Sequence, residues 1–253
     1  MILPSEYSRR TRPAQASDHG YLRWKRALDV MLAGIGLLLL APVFALVALA
    51  IKLDSRGPVI YAQERVGLNR RRRASGDAAG NGDGVGSGDG TGNGVSRSER
   101  ERRRSDCYGR PFAIYKFRSM ITDAERKTGP VWAAASDSRI TRVGRVLRKT
   151  RLDETPQLWN VLKGDMSIVG PRPERPTFVL SLTEKLPEYP RRCEALPGIT
   201  GLAQVKWHYD TSIETTRRKL DYDLYYVRNG RLLLDLKIMA ATVRVMARGD
   251  GAH

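Results

Sequence analysis

The sequence predicts an α+β protein in which a re-entrant membrane helix precedes a small, mainly helical domain with a few short strands. Three observations lead to this fold class: a long uncharged apolar run, a glycine-rich low-complexity stretch, and short helix and strand patterns in the second half. The 253 residues carry 44 Lys and Arg against 27 Asp and Glu, a net charge of +17. Two cysteines and three histidines exclude a disulfide framework and a zinc-finger spacing.

The apolar run comprises residues 30–51, which include no charged side chain. As a helix it would be about 33 Å long, enough to span the hydrocarbon core of a bilayer. A cleaved signal peptide is disfavoured because 29 residues precede the run. A buried helix of a soluble protein is disfavoured because the run exceeds ~18 apolar residues. We therefore expect a membrane segment.

Two features favour a re-entrant path over a helix that spans the bilayer. Pro42 lies near the centre of the run, where it removes a backbone donor and disfavours helical conformation in the preceding residue. A spanning helix carries its basic bias on one side, whereas this run has basic residues on both sides: Arg23, Lys25 and Arg26 before it, and Lys52, Arg56 and Arg65 after it. The prediction is a helix-break-helix that enters and leaves one leaflet, with the break at Pro42.

The chain divides into an N-terminal tail (residues 1–23), the membrane helix (24–53), a main domain (54–246) and a C-terminal tail (247–253). Residues 75–96 contain nine of the 24 glycines and no aromatic residue, so they cannot bury enough apolar surface to offset the entropy of ordering. With their arginine-rich flanks they define an insertion at about residues 70–106, predicted to be a flexible loop. Most of the net positive charge lies outside this insertion. Because a membrane segment is close by, the charge indicates anionic lipid or phosphorylated substrates as binding partners rather than nucleic acid.

The sequence pattern in the second half of the chain predicts one strand and two helices, which carry a group of charged residues. Alternation over residues 110–120 predicts a strand that delivers Lys116 and Arg118. Residues 140–150 have apolar side chains at helical spacing and Arg148 on another face, although a solvated basic face would look the same. A short helix is predicted over residues 156–163, because Thr155 and Pro156 have the pattern of an N-cap and first helical residue.

Asp153 and Glu154 directly precede this short helix. Acidic residues near a helix N-terminus often do no more than complement the helix dipole. Paired carboxylates beside arginines can also hold a divalent metal ion and leave one oxygen to attack phosphorus. Further on, Arg172 stands between two prolines that restrict its backbone, which is typical of an arginine presented to a phosphate group, with a rigid surface loop as the alternative.

The chain resembles the bacterial sugar transferase family, the monotopic polyprenyl-phosphate phosphoglycosyl transferases. The resemblance extends from Trp24 to about Met246 and rests on five motifs in order: KRALD, YKFRSM, LDETPQLWNVLKGDMSIVGPRPE, PGITGLAQV, and LDYDLYYV followed by LDLKI. It implies transfer of a sugar-1-phosphate from a UDP-sugar, with glucose or galactose favoured, to undecaprenyl phosphate with release of UMP. This would be the first membrane step of exopolysaccharide or O-antigen-type glycan synthesis, at the bacterial inner membrane, with the catalytic domain facing the cytoplasm.

The resemblance also implies roles for single residues. Asp153 matches the nucleophilic aspartate that forms a phosphosugar intermediate, Glu154 matches its acidic neighbour, and the pair is expected to hold Mg²⁺, with Glu154 as the main ligand. Arg148 and Arg172 match arginines that bind phosphate. Lys116 and Arg118, in the YKFRSM motif, are assigned the same task.

The chain departs from the family pattern at the insertion and at Ala41, where relatives often have a serine before the proline. The short N-terminal region resembles the minimal form of the family, without the further transmembrane helices of larger relatives. Two alternatives stay open: a membrane-tethered adaptor that binds anionic lipid or nucleic acid and catalyses nothing, and direct attack of polyprenyl phosphate without an aspartyl intermediate. No pattern indicates the oligomeric state.

Overall fold

The computed structural model describes residues 19–69, 108–122, 124, 137–207 and 212–248. The helices in these ranges are α1 (His19–Asp54), α2 (Arg142–Lys149), α3 (Gln157–Lys163), α4 (Pro176–Lys185), α5 (Leu202–Lys206), α6 (Ile213–Asn229) and α7 (Leu232–Arg248). Two 3-10 helices span Leu152–Glu154 and Tyr189–Glu194, and the strands are β1 (Ile60–Val66), β2 (Pro111–Phe117), β3 (Ser167–Val169) and β4 (Gly198–Thr200). The mixed helix and strand class is confirmed, whereas the predicted loop at about residues 70–106 lies outside the described residues.

Helix α1 contains the apolar run and extends beyond it at both ends. By length and composition it is long and apolar enough to cross a membrane, and most of its apolar surface is exposed. The helical conformation continues from His19 to Asp54 with Pro42 inside the helix, so the predicted helix-break-helix is not confirmed. The physical reason is that a proline inside a helix removes a single hydrogen bond, here to the carbonyl of Leu38, and a helix can accommodate that loss by bending without ending.

Both halves of α1 pack on the rest of the chain, while its middle does not. In the first half Ala33 is fully buried, and Leu158 of α3 lies over Gly36, so that an added Cβ there would be 3.0 Å from the Leu158 side chain. In the second half the ring of Phe44 packs edge-on against Phe117 of β2 at 5.0 Å. Between these contacts Leu38 and Leu39 are 76% and 70% exposed. The same domain therefore holds both halves of the helix.

Two small sheets connect the helices. Strands β1 and β2 are antiparallel, with Ile60 opposite Phe117 and Val66 opposite Pro111. Strands β3 and β4 are parallel, and the chain between them contains α4 and the second 3-10 helix. Parallel pairing requires such a crossover connection.

Helix α3 is fixed to β2 by a buried side chain. The Asn160 carboxamide accepts a hydrogen bond from Tyr115 N at 3.1 Å and donates one to Ala113 O at 2.7 Å, in the manner of an additional strand. The helix ends at Gly164, whose φ of 86° is the left-handed conformation that glycine adopts at little cost. This connection sets the distance between the end of β2 and the turn that precedes α3.

Candidate active site

Asp153 lies at the centre of a short 3-10 turn between α2 and α3. Arg151, which precedes the turn, has a left-handed backbone with φ of 60°, the one non-glycine residue with positive φ in the described part of the chain. Such a conformation is uncommon outside glycine and is found where the surrounding structure imposes it. The turn directs Asp153 inward, where 8% of the residue is exposed. No residue in the described ranges donates a hydrogen bond to its carboxylate.

Glu154 has the opposite environment, because two cations bind its carboxylate. Lys116 Nζ, from β2, and Arg172 Nη2, from the loop after β3, each lie 2.7 Å from Glu154 Oε1. Arg172 Nη1 is 3.5 Å from Oε2, so the guanidinium faces both oxygens. The Glu154 side chain is 14% exposed, while that of Arg172 is 38% exposed. Arg172 can therefore hold Glu154 and still present part of its guanidinium to a ligand.

The two neighbouring carboxyl groups have pKa values shifted in opposite directions. Burial raises the pKa of Asp153, and the negative charge of Glu154 raises it further, against the opposing effect of Lys116, Arg148 and Arg172. Burial alone would also raise the pKa of Glu154, but the charges of Arg172 and Lys116 and their hydrogen bonds hold it well below its usual range. Glu154 is therefore ionised at neutral pH and holds Lys116 and Arg172 in place. Asp153 is a desolvated carboxyl group, which is a more reactive nucleophile once ionised.

Arg148 reaches the site from the end of α2. Its Nε donates to Ser119 Oγ at 3.0 Å, and its positive charge lowers the pKa of Asp153. Helix α2 can lie this close to Ser119 because it has a glycine at the contact, since a Cβ on Gly144 would be 2.0 Å from the Ser119 carbonyl oxygen. Arg148 is therefore held near Asp153 without being bound to either carboxylate of the pair.

The loop that carries Arg172 is fixed on both sides of that residue. Before it, Gly198 N donates to Pro171 O at 2.9 Å, which ties the loop to β4. After it, Arg65 of β1 donates to Pro173 O at 3.1 Å and lies 3.6 Å from the carboxylate of Glu174. Because both neighbours of Arg172 are proline and both of their carbonyl groups are bound, the backbone at Arg172 has little freedom.

Arg118 does not join the site. Its guanidinium donates to Ser55 O at 2.7 Å, to Arg56 O at 2.8 Å and to Ser55 Oγ at 3.0 Å, just beyond the C-terminal end of α1. Only 6% of the residue is exposed. In this arrangement Arg118 holds the end of α1 rather than facing the carboxylate pair. The structure therefore brings together Asp153, Glu154, Lys116, Arg148 and Arg172, while Arg118 and Pro42 lie apart from them.

The beginning of α3 differs by one residue from the sequence prediction. The helix starts at Gln157, and Pro156 occupies the cap position without a side-chain hydrogen bond. The Thr155 hydroxyl donates to Leu152 O at 2.7 Å instead of capping α3, because the preceding 3-10 turn offers that carbonyl. Thr155 therefore stabilises the turn that carries Asp153.

Sequence reasoning misses three residues that shape the site: Ser119, Asn160 and Arg65. Ser119 and Asn160 lie inside motifs quoted above, and this position marks them as candidate site residues. Nothing in the sequence pattern indicates which backbone or side chain they contact. The charge pattern places Arg65 among the membrane flanks. In the structure Arg65 instead binds Pro173 and Glu174. It can do so because β1 pairs with β2 and also contacts the loop, where Val66 N donates to Glu174 O.

A comparison with known families identifies the chain. A family model described as bacterial sugar transferase matches residues 20–74 and 98–249. The chain belongs to the bacterial sugar transferase family. The stretch that the match skips, residues 75–97, coincides with the glycine-rich insertion, which confirms that the insertion interrupts the family pattern.

Two relatives of this chain are named as sugar-phosphate transferases, and a third is named for exopolysaccharide production. The UDP-N-acetylgalactosamine-undecaprenyl-phosphate N-acetylgalactosaminephosphotransferase of Aeromonas hydrophila is 40% identical over 229 residues, which are 90% of this chain and 45% of that protein. The UDP-glucose:undecaprenyl-phosphate glucose-1-phosphate transferase of Caulobacter vibrioides is 37% identical over 233 residues, covering 90% of this chain and 72% of that protein. The exopolysaccharide production protein PSS of Rhizobium leguminosarum bv. phaseoli is 37% identical over 234 residues, 90% of this chain and 97% of that protein.

The chain thus spans less than half the length of the Aeromonas relative and nearly all of the Rhizobium relative. The donor sugars named for the relatives differ, being N-acetylgalactosamine in one case and glucose in another. The names of these two relatives therefore agree on the type of reaction and differ in the sugar.

The described part of this bacterial sugar transferase holds no cluster of three or more His, Cys, Asp or Glu side chains that would bind a metal ion by themselves. Asp153 and Glu154 do fit a magnesium ion of the kind held by one or two carboxylates together with substrate phosphates. Glu154 Oε2 has one long contact, and Asp153 has none from the described residues, so both have free acceptor capacity.

Proposed function

We propose that the protein transfers a sugar-1-phosphate from a UDP-sugar to undecaprenyl phosphate in two steps through Asp153. The observation that carries this proposal is the contrast between the two neighbouring carboxylates. Glu154 is bound by Lys116 and Arg172, while Asp153 is buried and receives no hydrogen bond from the described residues. A free, desolvated carboxylate beside fixed cations is suited to attack a phosphate group.

In the first step an Asp153 oxygen attacks the β-phosphorus of the UDP-sugar. The bond between that phosphorus and the bridging oxygen breaks, UMP leaves, and an acyl phosphate to the sugar forms on Asp153. In the second step an oxygen of undecaprenyl phosphate attacks the same phosphorus. The Asp153–phosphorus bond breaks, the lipid diphosphosugar leaves, and the carboxylate is regenerated.

The cations around Asp153 make the first step electrostatically feasible. A carboxylate approaching a diphosphate is repelled unless positive charge is already in position. Arg172 presents the part of its guanidinium that Glu154 does not cover, Lys116 stands beside it, and Arg148 approaches from α2. Glu154 keeps two of these cations oriented before substrate binds, which lowers the cost of reorganisation.

Asp153 and Glu154 would hold Mg²⁺ together with the diphosphate, and the ion would supply further charge neutralisation at the phosphate oxygens. This chain's own residues orient the donor: Arg172 and Arg148 contact phosphate, and Glu154 holds Arg172 and Lys116 in place.

We further propose that α1 enters and leaves the same face of the inner membrane, with the remaining domain in the cytoplasm. The support is that one domain contacts both halves of α1, through Ala33 in the first half and through Phe44 in the second. The exposed middle around Leu38 would then lie deepest in the lipid. A membrane-impermeant maleimide tests this topology on R23C and R56C, each in a background where Cys107 is replaced by serine. A re-entrant helix leaves both positions unlabelled in intact cells and labelled after lysis.

The test of the reaction is UMP release from a panel of UDP-sugars by detergent-solubilised protein with Mg²⁺ and undecaprenyl phosphate. UMP release that requires the lipid for turnover and is abolished in D153N supports the proposal and names the donor. The matched control is D165N, since Asp165 is paired with Lys163 at the other end of α3 and should be dispensable for turnover. Folded protein that releases no UMP from any donor would contradict the proposal.

The kinetic pattern separates the two-step route from direct transfer. With an aspartyl intermediate, wild-type protein releases one equivalent of UMP before lipid is added, and the phosphosugar stays attached to the peptide that contains Asp153. Direct attack by undecaprenyl phosphate gives no UMP without lipid. The adaptor alternative is not favoured, since the relatives are named as transferases.

A further inference from the structure

Helix α2 presents a stripe of cations to solvent. Its inner face packs through Val143, Gly144 and Leu147. The opposite face has the helical spacing i, i+3, i+4 and i+7, and all four of its residues are exposed: Arg142, Arg145, Val146 and Lys149. These four residues are called the basic stripe. Val146, in its middle, is 61% exposed.

The basic stripe has no internal charge compensation. Helix α2 contains no acidic residue. None of the three cations of the stripe forms an ion pair with another residue of the described ranges. Three neighbouring like charges repel one another, and a surface of this kind favours an anionic partner.

The position of α2 suggests which anion this is. Val143 and Leu147 pack against Val47 and Ile51 in the last turns of α1. The backbone N–H of Val143 donates to Asp54 Oδ2 at 3.1 Å, and Asp54 is the residue at which α1 ends. Helix α2 is thus fixed where the apolar run gives way to charged residues. If α1 lies in the membrane, this is the level of the phospholipid headgroups.

We propose that the basic stripe binds the headgroups of anionic phospholipids, an inference that rests on the membrane insertion of α1 proposed above. Arg142 and Lys149 are seven residues apart, about 10 Å along the helix, which exceeds the size of one phosphate group and matches several adjacent headgroups. Val146 enters the interface between the cations, whose long side chains extend to the phosphates. The stripe sets the orientation of α2, and with it Arg148, relative to the membrane surface.

The test uses the full chain in lipid nanodiscs with an environment-sensitive dye on V146C, in a background where Cys107 is replaced by serine. Cys193 is buried and does not compete for the dye. The nanodiscs contain a headgroup-spin-labelled lipid in phosphatidylcholine, with or without phosphatidylglycerol. The dye signal is compared with R142Q/R145Q/K149Q added to the same background. The matched control is K185Q/K206Q/R217Q, which removes three exposed cations from α4, α5 and α6.

We expect phosphatidylglycerol to increase quenching of the dye, and high salt to reduce that increase because exposed charges are screened. The increase is lost in the stripe variant and kept in the control variant. Equal quenching with and without phosphatidylglycerol, or an increase that survives in the stripe variant, overturns the proposal. An increase that needs added undecaprenyl phosphate rather than phosphatidylglycerol overturns it as well, since the stripe would then bind the acceptor.

A second dye position separates this inference from the membrane insertion on which it rests. L38C reports the exposed middle of α1 through quenching by a lipid labelled on its acyl chain. Quenching at position 38 without phosphatidylglycerol dependence at position 146 overturns the basic stripe alone. Absence of quenching at both positions overturns the insertion of α1 and the basic stripe together.

Discussion

Lys25 Nζ lies 3.1 Å from Asp235 Oδ2, which joins the first helix to the last across 210 residues of chain. Both side chains are almost fully buried. The same Lys25 Nζ donates to Val169 O at 2.9 Å, at the end of β3 and three residues before Arg172. Two tyrosines extend the network: Tyr226 donates to Asp235 Oδ1 at 2.7 Å, and Tyr21 donates to Asp235 Oδ2 at 2.9 Å. The apolar helix is therefore connected to the segment that carries a site arginine.

The first prediction concerns this buried pair. K25M leaves the Asp235 carboxylate buried without its cation, which typically costs about 3–5 kcal/mol of unfolding free energy. The double variant K25M/D235N removes both charges and should recover most of that loss, because the amide oxygen introduced by D235N still accepts from Tyr226. Denaturant unfolding in detergent measures both, with R23M, an exposed cation on the same helix, as the control. Equal destabilisation in the single and double variants would show that the loss in K25M does not come from the uncompensated Asp235 carboxylate.

The second prediction concerns the pH dependence of turnover. Asp153 must be ionised to attack, so activity falls as the pH drops through its pKa and the acid limb of kcat/KM follows that pKa. Arg148 lowers the pKa of Asp153 and Glu154 raises it. R148Q should therefore move the acid limb to higher pH, and E154Q should move it to lower pH. The kcat of E154Q also falls, because Lys116 and Arg172 lose the carboxylate that orients them.

The opposite directions of these two shifts are the decisive part of the measurement. Both variants lose activity, so a drop in rate alone would not identify the titrating group. If R148Q and E154Q shift the acid limb in the same direction, or neither shifts it, a group other than Asp153 controls the profile.

The third prediction separates Arg118 from Arg172. R118M removes three part-buried hydrogen bonds, to Ser55 O, Ser55 Oγ and Arg56 O, and the loss of such a bond costs about 0.5–1.5 kcal/mol. We expect a lower unfolding midpoint with an unchanged KM for the UDP-sugar. R172M should do the reverse, because its guanidinium faces the site and is partly exposed. A KM that rises in R118M as it does in R172M would restore Arg118 to the phosphate-binding group.

The behaviour of the charged residues shows where sequence reasoning ends. The motifs correctly predict five residues that the structure brings together: Asp153, Glu154, Lys116, Arg148 and Arg172. The prediction succeeds because the short helix and the strand on which it depends both form. Arg118 follows Lys116 by two residues, yet it lies beyond the end of β2 and turns to the end of α1. Which way a side chain turns after a strand ends depends on tertiary contacts, and spacing does not encode these.

The flanks of the apolar run show the same limit. The charge rule treats Lys25 and Arg26 as cations that face lipid headgroups, but Lys25 is buried against Asp235 and Arg26 donates to the carbonyl groups of Val161 and Leu162 at the end of α3. A count of flanking charges cannot distinguish a cation in solvent from one that caps another helix. The contacts of both halves of α1, and not the flanking charges, therefore support a re-entrant path.

The last prediction concerns Gln157, one turn after Asp153 on α3. The residue is 2% exposed, and its Nε2 has no hydrogen-bond partner in the described part of the chain. A buried donor without a partner costs about 1–3 kcal/mol, and replacing it with an apolar group of similar shape removes that cost. Q157L should therefore be as stable as the wild type or more stable, by up to about 1 kcal/mol, in denaturant unfolding.

Q204L is the comparison, because Gln204 keeps one hydrogen bond, to Ile199 O, that the substitution would break. A clear loss of stability in Q157L alone would mean that the amide is satisfied in solution, by an internal water or by the neighbouring carboxylates, and that Gln157 helps to hold the turn that carries Asp153.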